Sequence, residues 1–484
     1  MKANKVMTSL ATLWLGGALL AACAAPPAEV ARQEPAATLP ATPAPSGAPL
    51  LLIGWDQTLG RVVRAVDPLT GADAPEHAPL PFGGKRDAMF LSPHTLAPDG
   101  RRLALVDVVG TACYPYAGGE TCGPRSSAVY LVDVAAWSIR SVALPADGWA
   151  EPLALSGDGR RLAVALRDGV QVSTLLLIDA VAGTILTQTA LPFAPTRLSF
   201  AGDGATLIVY GQSAGDEPGL SPPPAPRVLL LDGATLATTW ETTLDEVVSG
   251  HWCVENCAAD HGVRKMSSLV PGVALSPDGA RLYVVHADAE RLTTVDLTAR
   301  AVQTVDITAD VAWLDRLLAL TAGVAHAKGP IDSLARYAVL SPDGARLYVG
   351  GYDFTMSATD TGGWDVAEAM RPLRALDPAT GRVLAEVDAP NHFLRLTPDG
   401  RHLLIVDASG SVSVVSALDA ATLTTVARTE GMDVAMTVDL AGETRFVGQS
   451  FRQSRSTFVL LDPLTFDAVA EWSAKGPASL AVAP

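Results

Sequence analysis

The densest group of metal-ligating side chains in this sequence is the run His251-Trp252-Cys253-Val254-Glu255-Asn256-Cys257-Ala258-Ala259-Asp260-His261. Two thiolates and two imidazoles at this spacing suit zinc or copper. Cys253 and Cys257 also suit a disulfide, as do Cys113 and Cys122, the other close pair. In an exported chain, thiols in two local pairs read as two bridges, because an oxidising compartment favours the disulfide over a metal thiolate. On that ground no metal is assigned, and the spacing is not that of a haem attachment motif.

A second candidate is Gly211-Gln212-Ser213-Ala214-Gly215, which matches the G-x-S-x-G nucleophile elbow. That elbow needs a strand before it and a helix after it. Here Pro218, Gly219 and the run Pro222-Pro223-Pro224 follow, so no helix forms and the segment reads as a loop. Single ionisable residues remain: His94, His392, Asp353 and Asp365. Their spacing does not compel them to meet, and no nucleophile, base and orienting group line up among them. No catalytic residue and no cofactor is assigned.

The N-terminus decides the compartment. Lys2 and Lys5 precede an apolar stretch over 10–20, then Leu20-Ala21-Ala22-Cys23. A short cationic region, a short apolar core and a small-residue site read as a secretory signal over 1–22. The last four of those residues resemble a bacterial lipobox, and the resemblance implies cleavage before Cys23 and acylation of its thiol. Residues 24–48 are Ala, Pro and Thr with almost no large apolar side chain, too little to offset the entropy of ordering them. With Cys23 they read as a semi-extended tether over 23–48, anchored by lipid to the bacterial cell envelope on its extracytoplasmic side. The formal net charge of −16 repels polyanions, which excludes nucleic acid and a polybasic membrane contact.

The elements that must position these residues are announced by a repeat. LSPDGARLYV occurs at 275–284 and again at 340–349. Weaker copies start at Leu96, Leu155, Phe200 and Leu396, and a degenerate one at Val438 keeps Gly442. Each is an alternating apolar run, an Asp-Gly or Gly turn and another alternating run, a strong hairpin signal. A second signature follows each copy, a strand ending in Asp before a Pro-x-Thr-Gly type of turn, at Asp67, Asp133, Asp179, Asp232, Asp296, Asp377, Asp419 and Asp462. Two hairpins per unit are four antiparallel strands, one propeller blade. The expectation over 49–484 is an all-β propeller of eight blades, with seven as the alternative. Residues 477–484 supply the first strand of a closing blade whose other strands start at Leu50, so no sheet edge is left open.

The repeat resembles the YVTN type of β-propeller, related to WD40-like and quinoprotein amine dehydrogenase heavy-chain repeats. That family includes binding scaffolds, lactonases and redox subunits, so the resemblance speaks for the fold and not for one activity.

All long insertions fall on one face of such a ring: 110–127, 211–226 and 353–372 between second and third strands, 245–268 and 307–336 between blades. Long segments on a rigid scaffold are where function concentrates. Trp55, Trp149, Trp252, Trp313 and Trp364 map to the same face, with His251, His261, Asp353, Asp365 and His392. Val311, Leu314, Leu317 and Leu318 recur at helical spacing, which predicts a short amphipathic helix across the mouth. The reading preferred is a binding module that takes a protein, glycan or small ligand on this face. The alternative is an enzyme or redox subunit of the lactonase or quinoprotein amine dehydrogenase heavy-chain type.

Overall fold

The computed structural model describes residues 50–481 apart from 84–92, 108, 117–118, 168–172, 203, 213–223, 256–264, 309–330, 359–363, 398, 409–412, 433, 441–442, 453–454, 463–464 and 476–477. Within these residues the chain forms antiparallel meanders, each but the closing one opened by a copy of the repeat.

The repeat turn is built by its side chains. Ser276 donates its hydroxyl to Asp278 Oδ1 at 2.5 Å and accepts the Arg281 N–H at 2.8 Å, while Asp278 Oδ1 also accepts the Ala280 N–H. Ser156 with Asp158, Ser341 with Asp343 and Thr397 with Asp399 repeat the pattern. The glycine after each Asp sits near φ +70°, the left-handed region that a Cβ disfavours. These hydrogen bonds are why Ser-Pro-Asp-Gly recurs: the residues close the hairpin. The second signature works similarly, with Asp67, Asp179, Asp232 and Asp419 each accepting two backbone N–H groups of the following turn.

Five four-stranded sheets stand separately among the described residues. They open at Ala194–Phe200, Gly272–Leu275, Phe393–Leu396, Val434–Leu440 and, in the closing sheet, Ser479–Ala481. In the last of these Ser479–Ala481 pairs antiparallel with Leu50–Asp56, with Leu52 opposite Leu480, so the two ends of the fold share one sheet. The expected count of eight blades, or seven, is therefore corrected to five four-stranded blades among the described residues. The remaining repeats run together. Ser138–Leu155 is one unbroken strand that pairs with Gly119–Asp133 along its first half and with Arg161–Arg167 along its second, making an eight-stranded sheet. A seven-stranded sheet arises because Lys265–Val270 pairs in parallel with Ile331–Leu340, which already pairs with Leu347–Ala358.

Sheets stack face to face, so middle strands are apolar throughout while outer strands alternate. Arg161–Arg167 is buried along its whole centre, whereas Thr184–Leu191 alternates between exposed and half-buried positions before Leu191. Opening strands stand side by side: Ser479–Ala481 touches His94–Leu96, which touches Ser138–Leu155, which touches Ala194–Phe200. The core lies between sheets, as where Val63 and Phe82 of the closing sheet meet Leu103, Leu105 and Val132 of the next.

Candidate functional site

Several insertions read from the sequence as loops are strand ribbons. Gly110–Tyr116 pairs with the start of Gly119–Asp133, Gly250–Glu255 pairs with Lys265–Val270, and Trp364–Met370 pairs with the outer half of Leu347–Ala358. The helix expected from 311–318 lies outside the described residues, as do Cys23, Cys257, His261, Trp313 and Ser213.

Where the ribbon of Ile331–Leu340 and Leu347–Ala358 leaves its sheet, charged groups converge. Asp353 accepts from Arg336 Nη1 at 3.0 Å and from Arg371 Nη2 on its other oxygen. The side chains of Arg336 and Asp353 are only 9% and 12% exposed. Arg336 also donates to the Ala335 and Tyr352 carbonyls, so the guanidinium is held against the backbone of both strands. Burial pulls its pKa down and the Asp353 charge opposes this.

Asn391 fastens this cluster to the next sheet. It is fully buried, accepts the Gly351 N–H at 2.6 Å, and donates to the Arg371 and Ala389 carbonyls. The fit demands Gly350-Gly351: a Cβ on Gly350 would lie 2.2 Å from Asn391 Oδ1, and Gly351, at φ +148°, would press a Cβ onto the Ala335 carbonyl. Beside it, the Ala408 N–H donates to His392 Nδ1 at 3.1 Å. Nδ1 is thus the acceptor and the ring proton sits on Nε2, 2.9 Å from Glu368 Oε1. Tyr352 packs on His392 with ring centroids 5.7 Å apart, and Tyr337 on Tyr352 at 6.2 Å. Burial raises the Tyr337 pKa, so it stays a neutral hydroxyl.

Arg336 and Arg371 also border a crevice of about 30 Å³, room for one water, against the neighbouring sheet. His286 lines it, buried, with Nε2 2.8 Å from Thr293 Oγ1 and that hydroxyl 2.9 Å from Thr304. Burial lowers the His286 pKa and keeps the imidazole neutral at pH 7. Arg374 closes the side, bonded to Glu290 and Glu386.

The sequence candidates divide accordingly. Asp353 and His392 enter one network, linked through Tyr352, Arg371 and Asn391 rather than by contact. Asp365 pairs with Ser357 and Ala369 with Asp353, so Asp365 sits four positions outward, about 13 Å along the ribbon. Trp364 lies at the end of that strand, opposite Ala358. Trp252 is buried against Leu269, Ala287 and Leu334 and holds a ribbon to the scaffold, while His251 beside it is exposed. Trp149 is half-buried, donates to Glu151 at 3.1 Å and carries the Arg167 guanidinium 5.4 Å above its ring. Trp55 lies elsewhere, in a cleft where the ring closes. Cys113 stands opposite Cys122 in the antiparallel register, and Cys253 opposite Met266. Among the described residues no three His, Cys, Asp or Glu side chains gather as a metal site. Sequence reasoning missed Arg336, Glu368, Arg371 and Asn391. The one available signal was Gly350-Gly351 directly after a repeat copy, marking a close approach of backbone.

No protein-family model matches the sequence, and no curated protein matches it. Solved structures do. The chain is similar to dihydro-heme d1 dehydrogenase NirN, at 15% identity and a TM-score of 0.52, over 91% of this chain and 77% of that one. The fold is a β-propeller. At that identity the likeness shows nothing further. BamB from Moraxella catarrhalis (15% identity, TM-score 0.42, 77% of this chain and 89% of that one) and the Cps50 (Swd1) β-propeller domain of Myceliophteria thermophila (14%, 0.40, 79% and 96%) are more distant in shape.

Proposed function

We propose that this chain is a lipid-anchored, extracytoplasmic propeller that binds a partner on the face from which its ribbons project. The observation that carries the reading is the Arg336–Asp353–Arg371 cluster with its Asn391 clasp. It is a base of side chains bonded to one another, in which Arg371 Nε alone is buried without a partner among the described residues, beneath ribbons that extend past the sheets. Buried, mutually satisfied polar groups position a surface, whereas catalysis needs groups left free for a substrate. His392 illustrates this, since both ring nitrogens are already engaged by protein groups. The compartment rests on Cys23 and the segment before it, and two disulfides, Cys113 to Cys122 and Cys253 to Cys257, would staple the ribbons.

The alternative redox reading draws on NirN, a dehydrogenase solved with its DHE ligand, to which this chain is similar in fold. It would require a free axial or proton-accepting side chain on the same face.

The test uses the full-length chain in its own membranes. A photo-crosslinking residue is placed on the ribbon face at His251 or Glu368, and on the opposite turns at Thr380 or Thr422. Ribbon-face positions are expected to yield one discrete envelope adduct that the opposite turns do not. Equal yields from both faces would sink the reading, and so would recovery of a Cys23→Ser variant in the membrane fraction at the wild-type level.

A further inference from the structure

The closing sheet meets the sheet that opens at Val434–Leu440 across a cleft of about 350 Å³, within the size range of small-ligand sites. It shares no residue with the Asp353 cluster. Its floor is Trp472, buried, stacked on Phe458 at 4.4 Å and pinned by its indole N–H to the Pro68 carbonyl. Gly71, at φ +66°, lets the chain cross that ring: a Cβ there would lie 2.5 Å from the indole. Trp55, half-buried, forms a second aromatic wall.

The polar groups of the cleft are held in a fixed array. Arg64 Nη2 binds Asp56 Oδ2 and Nη1 binds Asp73 at 2.9 Å. Asp56 Oδ1 is spent on the Thr58 and Leu59 N–H groups, which hold its pKa low. Among the described residues Asp73 shares the one Arg64 nitrogen between its oxygens, and at 41% exposure it keeps acceptor capacity. Lys475 stands on the opposite rim, exposed and with no ion pair among the described residues. Arg64 and Lys475 balance Asp56 and Asp73, so the cleft has no net charge to attract an ion.

We infer that this closure cleft binds a neutral saccharide. A pyranose offers an apolar C–H face to cover the Trp55 indole and adjacent hydroxyls that can donate to Asp73 and accept from Lys475. A charged ligand would leave one of the two opposed sets unpaired, and a purely apolar one would strand the locked carboxylates.

The experiment titrates the full-length chain in detergent with maltose, cellobiose and N,N′-diacetylchitobiose, read by tryptophan fluorescence and calorimetry. At least one disaccharide is expected to bind, with affinity reduced at least tenfold in Trp55→Ala and in Asp73→Asn and largely kept in Trp55→Phe. Both residues are partly exposed, and equal melting temperatures of variant and wild type confirm folding. The inference is overturned if none of the three binds at millimolar concentration, if acetate or glucuronate binds more tightly, or if Trp55→Ala and Asp73→Asn bind as the wild type does.

Discussion

The Arg336 guanidinium lies 3.0 Å from Asp353, and both side chains are almost wholly withdrawn from water. Removing one member of such a pair leaves a buried charge, at a cost of about 3–5 kcal/mol. Asp353→Ala is therefore expected to lower stability by about that much in urea unfolding. The double variant Arg336→Met, Asp353→Leu should regain a large part of the loss. A single variant within about 1 kcal/mol of wild type would show that water reaches the cluster.

Acid should weaken the ring through its repeat turns. Asp158, Asp278 and Asp343 have pKa values held below the ordinary carboxylate value, chiefly by the Ser156, Ser276 and Ser341 hydroxyls. A depressed folded-state pKa adds stability that is complete above the unfolded value, about 3.9, and is lost as pH falls through the folded one. The melting temperature should thus fall below about pH 4. Ser276→Ala with Ser341→Ala should make this acid limb shallower while lowering stability at pH 7. An unchanged limb would mean these turns do not set it.

Ala478 and Leu480 are buried, Ala478 exchanges hydrogen bonds with Gln449 and Ser456, and the strand after it pairs with Leu51 to Ile53. Deleting 477–484 exposes the Leu50–Asp56 edge, so a large drop in melting temperature and a tendency to aggregate are expected. Deleting 24–48 should change the melting temperature little. Equal effects of the two truncations would show that the closing pairing contributes nothing.

Directly opposed positions in an antiparallel ladder have Cα atoms about 4.5–5.5 Å apart, inside the range a disulfide spans. Cys113 and Cys122 occupy such positions. Mass spectrometry of non-reduced peptides should find them joined, and free thiols at both would refute the staple.

The hairpins were legible because one local code, Ser-Pro-Asp-Gly with an alternating run on each side, is self-contained: its hydrogen bonds close within five residues. What joins hairpins into sheets is not local. The run Pro145-Ala146-Asp147-Gly148 inside 138–155 reads as a turn, yet the strand continues through it, and the parallel match of Met266 with Ile331 depends on segments far apart in the chain. The site was half legible for the same reason. Asp353 and His392 stood out as ionisable groups, but Asn391 gains its role only when Gly351 approaches it across 40 positions. At the second-signature turn, Trp137, Leu236, Arg300, Leu423 and Phe466 hold the left-handed conformation that Gly71, Gly183 and Gly381 hold elsewhere, so that motif faded while its geometry persisted.

The unbroken strand Ser138–Leu155 has a consequence for assembly. It is the outer rail of one meander and the opening rail of the next, so neither can detach without dragging a hydrogen-bonded edge of the other. Those two neighbours should behave as a single domino. Amide protons along Gly119–Asp133 and Arg161–Arg167 then exchange in step, where neighbouring units elsewhere in the ring open one at a time.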